Sequence, residues 1–116
     1  MLANLTGHDI TIVDKYGKVI RVILPCETEE PLRADVSIRR MGKVDGVRLT
    51  KIYYESNITK RKMMELFMNY EGIIVSKITA ECLRELGYKE NIYITGRKFY
   101  LHGKMVGVKE LCVLWN

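Results

Sequence analysis

Alternating apolar residues separated by turn signals fill the first half of the chain. Residues 8–24 predict a β-hairpin, because β-branched residues flank a glycine that can adopt a positive φ angle. Residues 34–55 predict a second hairpin, since the Asp-Gly dipeptide at 45–46 is typical of two-residue hairpin turns. The acidic segment 27–31 lies between the two hairpins and predicts an exposed loop.

Helical periodicity replaces this alternation in the middle of the chain. Residues 59–70 predict a helix, in which Thr59 is a suitable N-cap and apolar residues recur three and four positions apart. A short apolar run at 73–75 predicts a buried strand or an extended connection. A second helix follows, for which Ser76 is the expected N-cap and Gly87 the expected C-terminal stop.

Strand-forming residues return over 91–115, where they predict three short strands and an apolar end that includes Trp115. The order of elements is therefore β-β-β-β-α-(β)-α-β-β-β. This order predicts the α+β class, with an antiparallel or mixed β-sheet of hairpins packed against two short helices. No repeat or linker divides the chain, so residues 1–116 are expected to form a single domain.

The composition indicates the cellular compartment of the protein and the redox state of its cysteines. No apolar run approaches the roughly 20 residues that a membrane span requires, and the pattern of a secretory signal is missing. We therefore expect a cytoplasmic protein, in the host cytoplasm if the protein is viral. The three cysteines are far apart and form no C-x-x-C pair, so we expect reduced thiols, no metal site and no cofactor: Cys26, Cys82 and Cys112.

The net charge of +5 is unevenly distributed along the sequence. Residues 1–35 contain four basic and six acidic side chains, a net charge of −2, whereas residues 36–116 contain 15 basic and eight acidic side chains, a net charge of +7. Such a basic region favours an anionic partner, although a mildly basic solvated surface has the same composition. Five basic residues fall on the second predicted hairpin, where much of the set could share one face: Arg39, Arg40, Lys43, Arg48 and Lys51.

No catalytic motif is recognisable. Phosphate loops, dinucleotide fingerprints, nucleophile elbows and zinc-hydrolase motifs are all missing, and the two histidines, His8 and His102, fall in different hairpin regions. We therefore expect a binding protein and not an enzyme, and a structural role for His8. Several of the seven tyrosines lie beside basic residues, an arrangement that suits base stacking next to phosphate contacts but is also ordinary for tyrosines in a sheet.

The N-terminal sequence resembles the opening of small phage and prophage proteins that begin N-L-T-x-H-x-I, and in particular the Thoeris anti-defence sponge proteins. The matching segments are Asn4–Ile10, the hairpin residues 12–20, Leu24-Pro25, Arg33, Ile74-Val-Ser76 and Gly103–Lys109. The resemblance implies an oligomer, at least a dimer, that holds a cyclic ADP-ribose-type signal without cleaving it. Some members of the group also bind cyclic oligonucleotides.

The resemblance also implies ligand-binding residues. Arg33 matches an arginine that holds phosphate, Lys109 stands where an arginine commonly occurs, and Asn91 is a candidate contact to base or ribose. An aromatic residue at a subunit interface is implied for the adenine. The sequence departs from the family pattern at Gly7, which replaces a common proline, and at Lys109, which lacks the two-pronged fork of arginine.

Two functions are therefore expected. The first is a phage-type anti-defence protein that sequesters a cyclic or ADP-ribose-derived nucleotide. The alternative is a small viral DNA- or RNA-binding protein that uses the basic hairpin; an enzyme acting on a small cyclic nucleotide ranks third. Nucleic-acid binding would depend steeply on salt, whereas binding in a small-molecule pocket would not.

Overall fold

The computed structural model describes residues 1–114, so the predicted apolar end at Trp115 lies outside the described residues. The α+β class is confirmed, and the described residues form ten strands and two helices. In chain order these are β1 (Leu2–Asn4), β2 (Ile10–Val13), β3 (Val19–Ile23), β4 (Ala34–Val44), β5 (Val47–Ser56), α1 (Lys60–Asn69), β6 (Gly72–Ile74), α2 (Lys77–Glu85), β7 (Ile92–Thr95), β8 (Lys98–Leu101), β9 (Lys104–Val108) and β10 (Leu111–Cys112).

Local signals place both hairpins and both helices where the sequence predicts them. The hairpins are β2–β3 and β4–β5. The Thr59 hydroxyl accepts the Lys62 N–H at 3.1 Å and starts α1, while the Ser76 hydroxyl accepts the Thr79 N–H at 3.3 Å and starts α2. Gly87 follows α2 with φ +97°, a conformation that favours glycine.

The strands within residues 1–114 form three sheets and not the one sheet that the pattern suggests. One sheet has the order β1-β6-β7-β10, with parallel β1–β6 and β6–β7 pairs. A second has the order β3-β2-β9-β8, with β2 and β9 parallel, and β4–β5 forms a separate ribbon. β1 and β10 are not predicted from the sequence, because strands of two or three residues carry too little alternation to identify.

β6 joins the two cores of the molecule. Ile73 packs into the main core, which β1 and the two helices complete with residues such as Ala3, Leu66 and Leu83. Its neighbour Ile74 points the other way into a smaller core, together with Ile10 and Val108 from the second sheet. The two cores therefore share one central strand that is buried on both faces.

The β4–β5 ribbon, residues 34–56, projects from this body and is named the arm from here on. Ten of the 11 residues of β4 are exposed, and the contacts of the arm with the body involve α2 near the root of the arm. The radius of gyration is 16.9 Å, against roughly 13 Å for a compact chain of about this length. The protruding arm accounts for the larger radius of gyration, because its residues lie far from the centre of the body.

Candidate functional site

The N-L-T-x-H motif forms a turn around a buried asparagine. The Asn4 amide nitrogen donates to the His8 carbonyl at 2.8 Å and to the Ile23 carbonyl at 3.0 Å. Its oxygen accepts the Thr6 N–H at 3.1 Å and the Thr6 hydroxyl at 2.6 Å. Asn4 is only 2% exposed and its amide is fully hydrogen-bonded, so the most distinctive residue of the motif has a structural role.

Gly7 lies at the outer end of this turn with φ +89°. Proline cannot adopt that angle, because its ring fixes φ near −65°. The turn therefore differs in backbone conformation from one built on the proline that is common in the resembling proteins. The Arg33 side chain lies over the glycine, with Nη2 3.7 Å from the position that a Gly7 Cβ would occupy.

Arg33 lines a hollow of about 250 Å³ at the N-terminus of α2. Asn57 fixes its backbone, because the side-chain oxygen accepts the Arg33 N–H at 2.9 Å and the backbone N–H donates to the Arg33 carbonyl at 3.3 Å. The other polar side chains of the hollow are those of Thr6, Asp35, Ser76 and Thr79.

The first turn of a helix presents N–H groups that lack intrahelical acceptors, and its dipole favours an anion. Helix α2 has no acidic residue in that turn, so the dipole is not offset there. The guanidinium of Arg33 adds a full positive charge, while Asp35 reduces the net charge of the hollow. The hollow thus combines the elements that hold a phosphate group.

Asn91 lines a different concavity, a groove of about 620 Å³ between the C-terminal ends of the two helices. Three half-buried aromatic side chains contribute to it, those of Phe67, Tyr70 and Tyr88. Asn91 has φ +59°, which asparagine tolerates better than most residues, and its carbonyl accepts the Ile73 N–H at 3.0 Å. Aromatic faces beside a carboxamide suit a planar heterocycle, which stacks and forms hydrogen bonds at its edge.

The charges around this groove do not suit phosphate by themselves. Its charged residues are Glu71, Lys89 and Glu90, which leave a net negative charge. The groove therefore suits the base or ribose end of a nucleotide, and the hollow at Arg33 suits the phosphate end.

Lys109 lies apart from both concavities. Its backbone N–H donates to the Arg97 carbonyl at 2.8 Å, and its exposed ammonium group lies 5.9 Å from the centre of the Phe99 ring. The three residues implied by the resemblance are thus distributed over the surface, and none of the cavities we find within residues 1–114 contains two of them.

A polar cluster that sequence reasoning missed adjoins the aromatic groove. The Tyr70 hydroxyl lies 3.3 Å from the Cys26 sulfur and 3.0 Å from the Thr28 hydroxyl. Partial burial works against ionisation of the thiol, but hydrogen bonds from Tyr70 and Thr28 outweigh it, so the pKa of Cys26 is lower than usual. The hydrogen bond to Cys26 in turn raises the pKa of Tyr70. Cys26 and Tyr70 are 44 positions apart in the sequence, which explains why no sequence signal links them.

Three of the five basic residues of the arm share one face, and the other two lie on the opposite face. Arg39 pairs with Lys51 on one face, where both cations lie over the Tyr53 ring at 5.0 and 5.2 Å from its centre. Arg40, Lys43 and Arg48 lie on the opposite face. A bulge at Met41 shifts the register by one residue and places Lys43 opposite Arg48.

No protein-family model matches the chain, and neither curated proteins nor solved structures include a significant match. The resemblance to the sponge proteins therefore stays a prediction from the quoted motifs. Among residues 1–114, no group of three or more histidine, cysteine, aspartate or glutamate side chains is placed to hold a metal ion. No helix in the same part of the chain is long and apolar enough to cross a membrane.

Proposed function

We propose that this protein binds and sequesters a cyclic or ADP-ribose-derived nucleotide signal without cleaving it. The observation that carries the proposal is the position of Arg33, in a hollow at the N-terminus of α2 that is lined with hydroxyl groups. The resemblance assigns phosphate binding to this arginine on sequence grounds alone. The surroundings of Arg33 support the same role for an independent physical reason.

The aromatic groove supports the other half of the proposal. A nucleotide needs a stacking surface and edge hydrogen bonds for its base, and the groove offers Tyr88, Phe67 and the Asn91 carboxamide. Because Arg33 lines a separate hollow, one ligand that contacts both would draw on two copies of the chain. The resemblance likewise implies a ligand at a subunit interface and a homo-oligomer, at least a dimer.

Calorimetry with cyclic ADP-ribose as the probe tests the phosphate assignment. A charge-assisted hydrogen bond contributes about 1.5–3 kcal/mol, so Arg33→Ala should weaken binding roughly 10- to 150-fold. The matched control is Arg39→Ala, which removes the same charge from the arm and should leave the affinity within about twofold. If Arg39→Ala weakens binding and Arg33→Ala does not, the assignment is wrong.

Two further variants test the remaining assignments with the same probe. Lys109→Arg should bind as well or better, because guanidinium donates two parallel hydrogen bonds to phosphate. Asn91→Ala should weaken binding if its carboxamide contacts the base or ribose. Recovery of intact cyclic ADP-ribose after heating the complex is expected, and multiple turnover of the probe would contradict sequestration.

The alternative, nucleic-acid binding through the arm, has weaker support. A two-stranded ribbon fits the major groove of DNA, and Tyr53 between two cations is a reasonable stacking surface. The alternation of side chains, however, divides the five basic residues between two faces, and exposed aliphatic side chains lie among them. A strong fall in affinity for an oligonucleotide with increasing salt would favour this alternative.

A further inference from the structure

The arm exposes an unusual amount of apolar surface for a solvated hairpin. Seven of its aliphatic or methionine residues are between 42% and 68% exposed: Val36, Ile38, Met41, Val44, Val47, Leu49 and Ile52. They are divided between the two faces of the ribbon: Val36, Ile38 and Ile52 lie on one face, and Val44, Val47 and Leu49 lie on the other. Long exposed strands with such side chains associate with other chains unless something covers them.

The register of the arm determines which apolar and basic residues share a face, and how far each lies from the body. On one face, Val36 lies opposite Tyr54, and Ile38 lies opposite Ile52, which forms an apolar strip near the root. Further out on that same face lie the three basic residues, Arg40, Lys43 and Arg48. This face, called the strip face below, is therefore apolar near the body and basic near the tip.

The segment that leads into the root of the arm has the opposite charge. Glu27, Glu29 and Glu30 lie in the loop that precedes β4, and Lys62 approaches only one of them, Glu30, at 4.0 Å. If two arms cross with their apolar strips face to face and run in opposite directions, the basic tip of each arm extends past the root of the other. The tip then reaches the acidic loop of the other copy.

We propose that the arm is a dimerisation element that packs its apolar strip against the same strip of a second copy across a two-fold axis. The basic tip of each arm then lies against the acidic loop, residues 27–30, of the other copy. A two-fold interface brings the same surface of both copies together, which the strip face satisfies without any further partner. Val36, Ile38, Ile52 and Tyr54 form the apolar centre of this interface, and the contacts between tip and loop form its charged rim.

Sedimentation velocity on the full chain tests the apolar part of this interface. Wild type should sediment as a dimer of the 13.5 kDa chain at micromolar concentration. Ile38→Thr/Ile52→Thr keeps β-branched residues but removes apolar surface from the strip, and should weaken association roughly 100-fold or more. The matched control is Val19→Thr/Ile20→Thr on β3, where the two residues are 54% and 66% exposed; this variant should dimerise like wild type.

A charge exchange tests the contact between tip and loop. Arg40→Glu/Arg48→Glu should weaken the dimer at least tenfold at low salt, and adding Glu27→Lys/Glu30→Lys to the same chain should restore most of the loss. Circular dichroism and thermal unfolding establish that each variant is folded. Restoration by the second pair supports the crossed arrangement, whereas further weakening overturns it.

Several results would overturn the proposal as a whole. They are a monomeric wild type at 100 μM, a folded Ile38→Thr/Ile52→Thr variant that still dimerises normally, or an equal loss in the β3 control. A monomer that binds a 20-base-pair DNA duplex through Arg40 and Arg48 at about 150 mM salt would instead assign the arm to nucleic acid. Arg33→Ala should dimerise like wild type, so failure of the nucleotide proposal can be told apart from failure of this one.

Discussion

Replacing the buried Asn4 with alanine tests whether the N-L-T-x-H motif is structural. The change removes two donated and two accepted hydrogen bonds, of which the bond to the Ile23 carbonyl is fully buried. A buried polar group that loses its partner costs about 1–3 kcal/mol, and water compensates in part for the more accessible bonds. We therefore expect Asn4→Ala to lower the free energy of unfolding by about 3 kcal/mol.

Asn57→Ala is the matched control for this measurement. Asn57 also bridges two backbone positions, since it accepts the Arg33 N–H at 2.9 Å and donates to the Pro31 carbonyl at 3.0 Å, but its side chain is exposed. Water can replace both bonds, so the loss should be about 1 kcal/mol or less. The comparison holds the residue type constant, while burial and the number of side-chain hydrogen bonds both fall from Asn4 to Asn57.

Urea unfolding followed by circular dichroism measures both variants, and thermal unfolding checks the result. For a chain of this length, 3 kcal/mol corresponds to a fall of about 10 °C in Tm. If the two asparagine variants differ by less than about 1 kcal/mol, burial of the hydrogen-bonded carboxamide is not what stabilises this turn. The structural account of the motif would then be refuted.

Three further outcomes follow from the structure. Gly7→Pro should destabilise the chain by more than about 1 kcal/mol in thermal unfolding, because proline cannot adopt φ +89°, and an unchanged Tm would refute the turn geometry. Tyr70→Phe should raise the pKa of the Cys26 thiol and slow its alkylation at pH 8, in a chain whose other two cysteines are replaced; equal rates would contradict the hydrogen bond. The Arg97 side chain donates to the Glu110 carboxylate at 2.7 Å and lowers the pKa of that carboxyl. This bond therefore stabilises the fold fully above about pH 4.5, the ordinary pKa of the group, and its contribution is lost as the pH falls through the lowered pKa. The stability difference between wild type and Glu110→Gln should therefore narrow in acid.

Elements with local signals could be predicted from the sequence. The Asp45-Gly46 turn, the Thr59 and Ser76 caps and the Gly87 stop each depend on a few neighbouring residues, and all four lie where the pattern places them. The parallel pairing of β1 with β6 could not be predicted in this way. The two strands are about 70 positions apart in the sequence, and no single turn connects them, so no local sequence signal marks the pairing.

The residues of the candidate site could also be predicted from the sequence only in part. The sequence singles out Arg33 and Asn91 through a resemblance, but their surroundings depend on tertiary structure. The hollow forms only when the segment before β4 packs beside the start of α2, and the aromatic groove forms only where two helices end together. The face on which Lys43 lies depends on a one-residue bulge, which no sequence pattern here reveals.

The long-range pairing of the first strands determines when the chain can fold during its synthesis. β1 needs residues 72–74 as its partner, and β2 pairs with β9 at Val108, so neither sheet of the body can close until almost all of the described chain has left the ribosome. The strands of the arm pair only with each other and can form as soon as residue 56 emerges. A nascent chain therefore presents an apolar, basic ribbon to its surroundings well before the body exists, and chains made side by side on one messenger RNA can meet through their arms before either has finished folding.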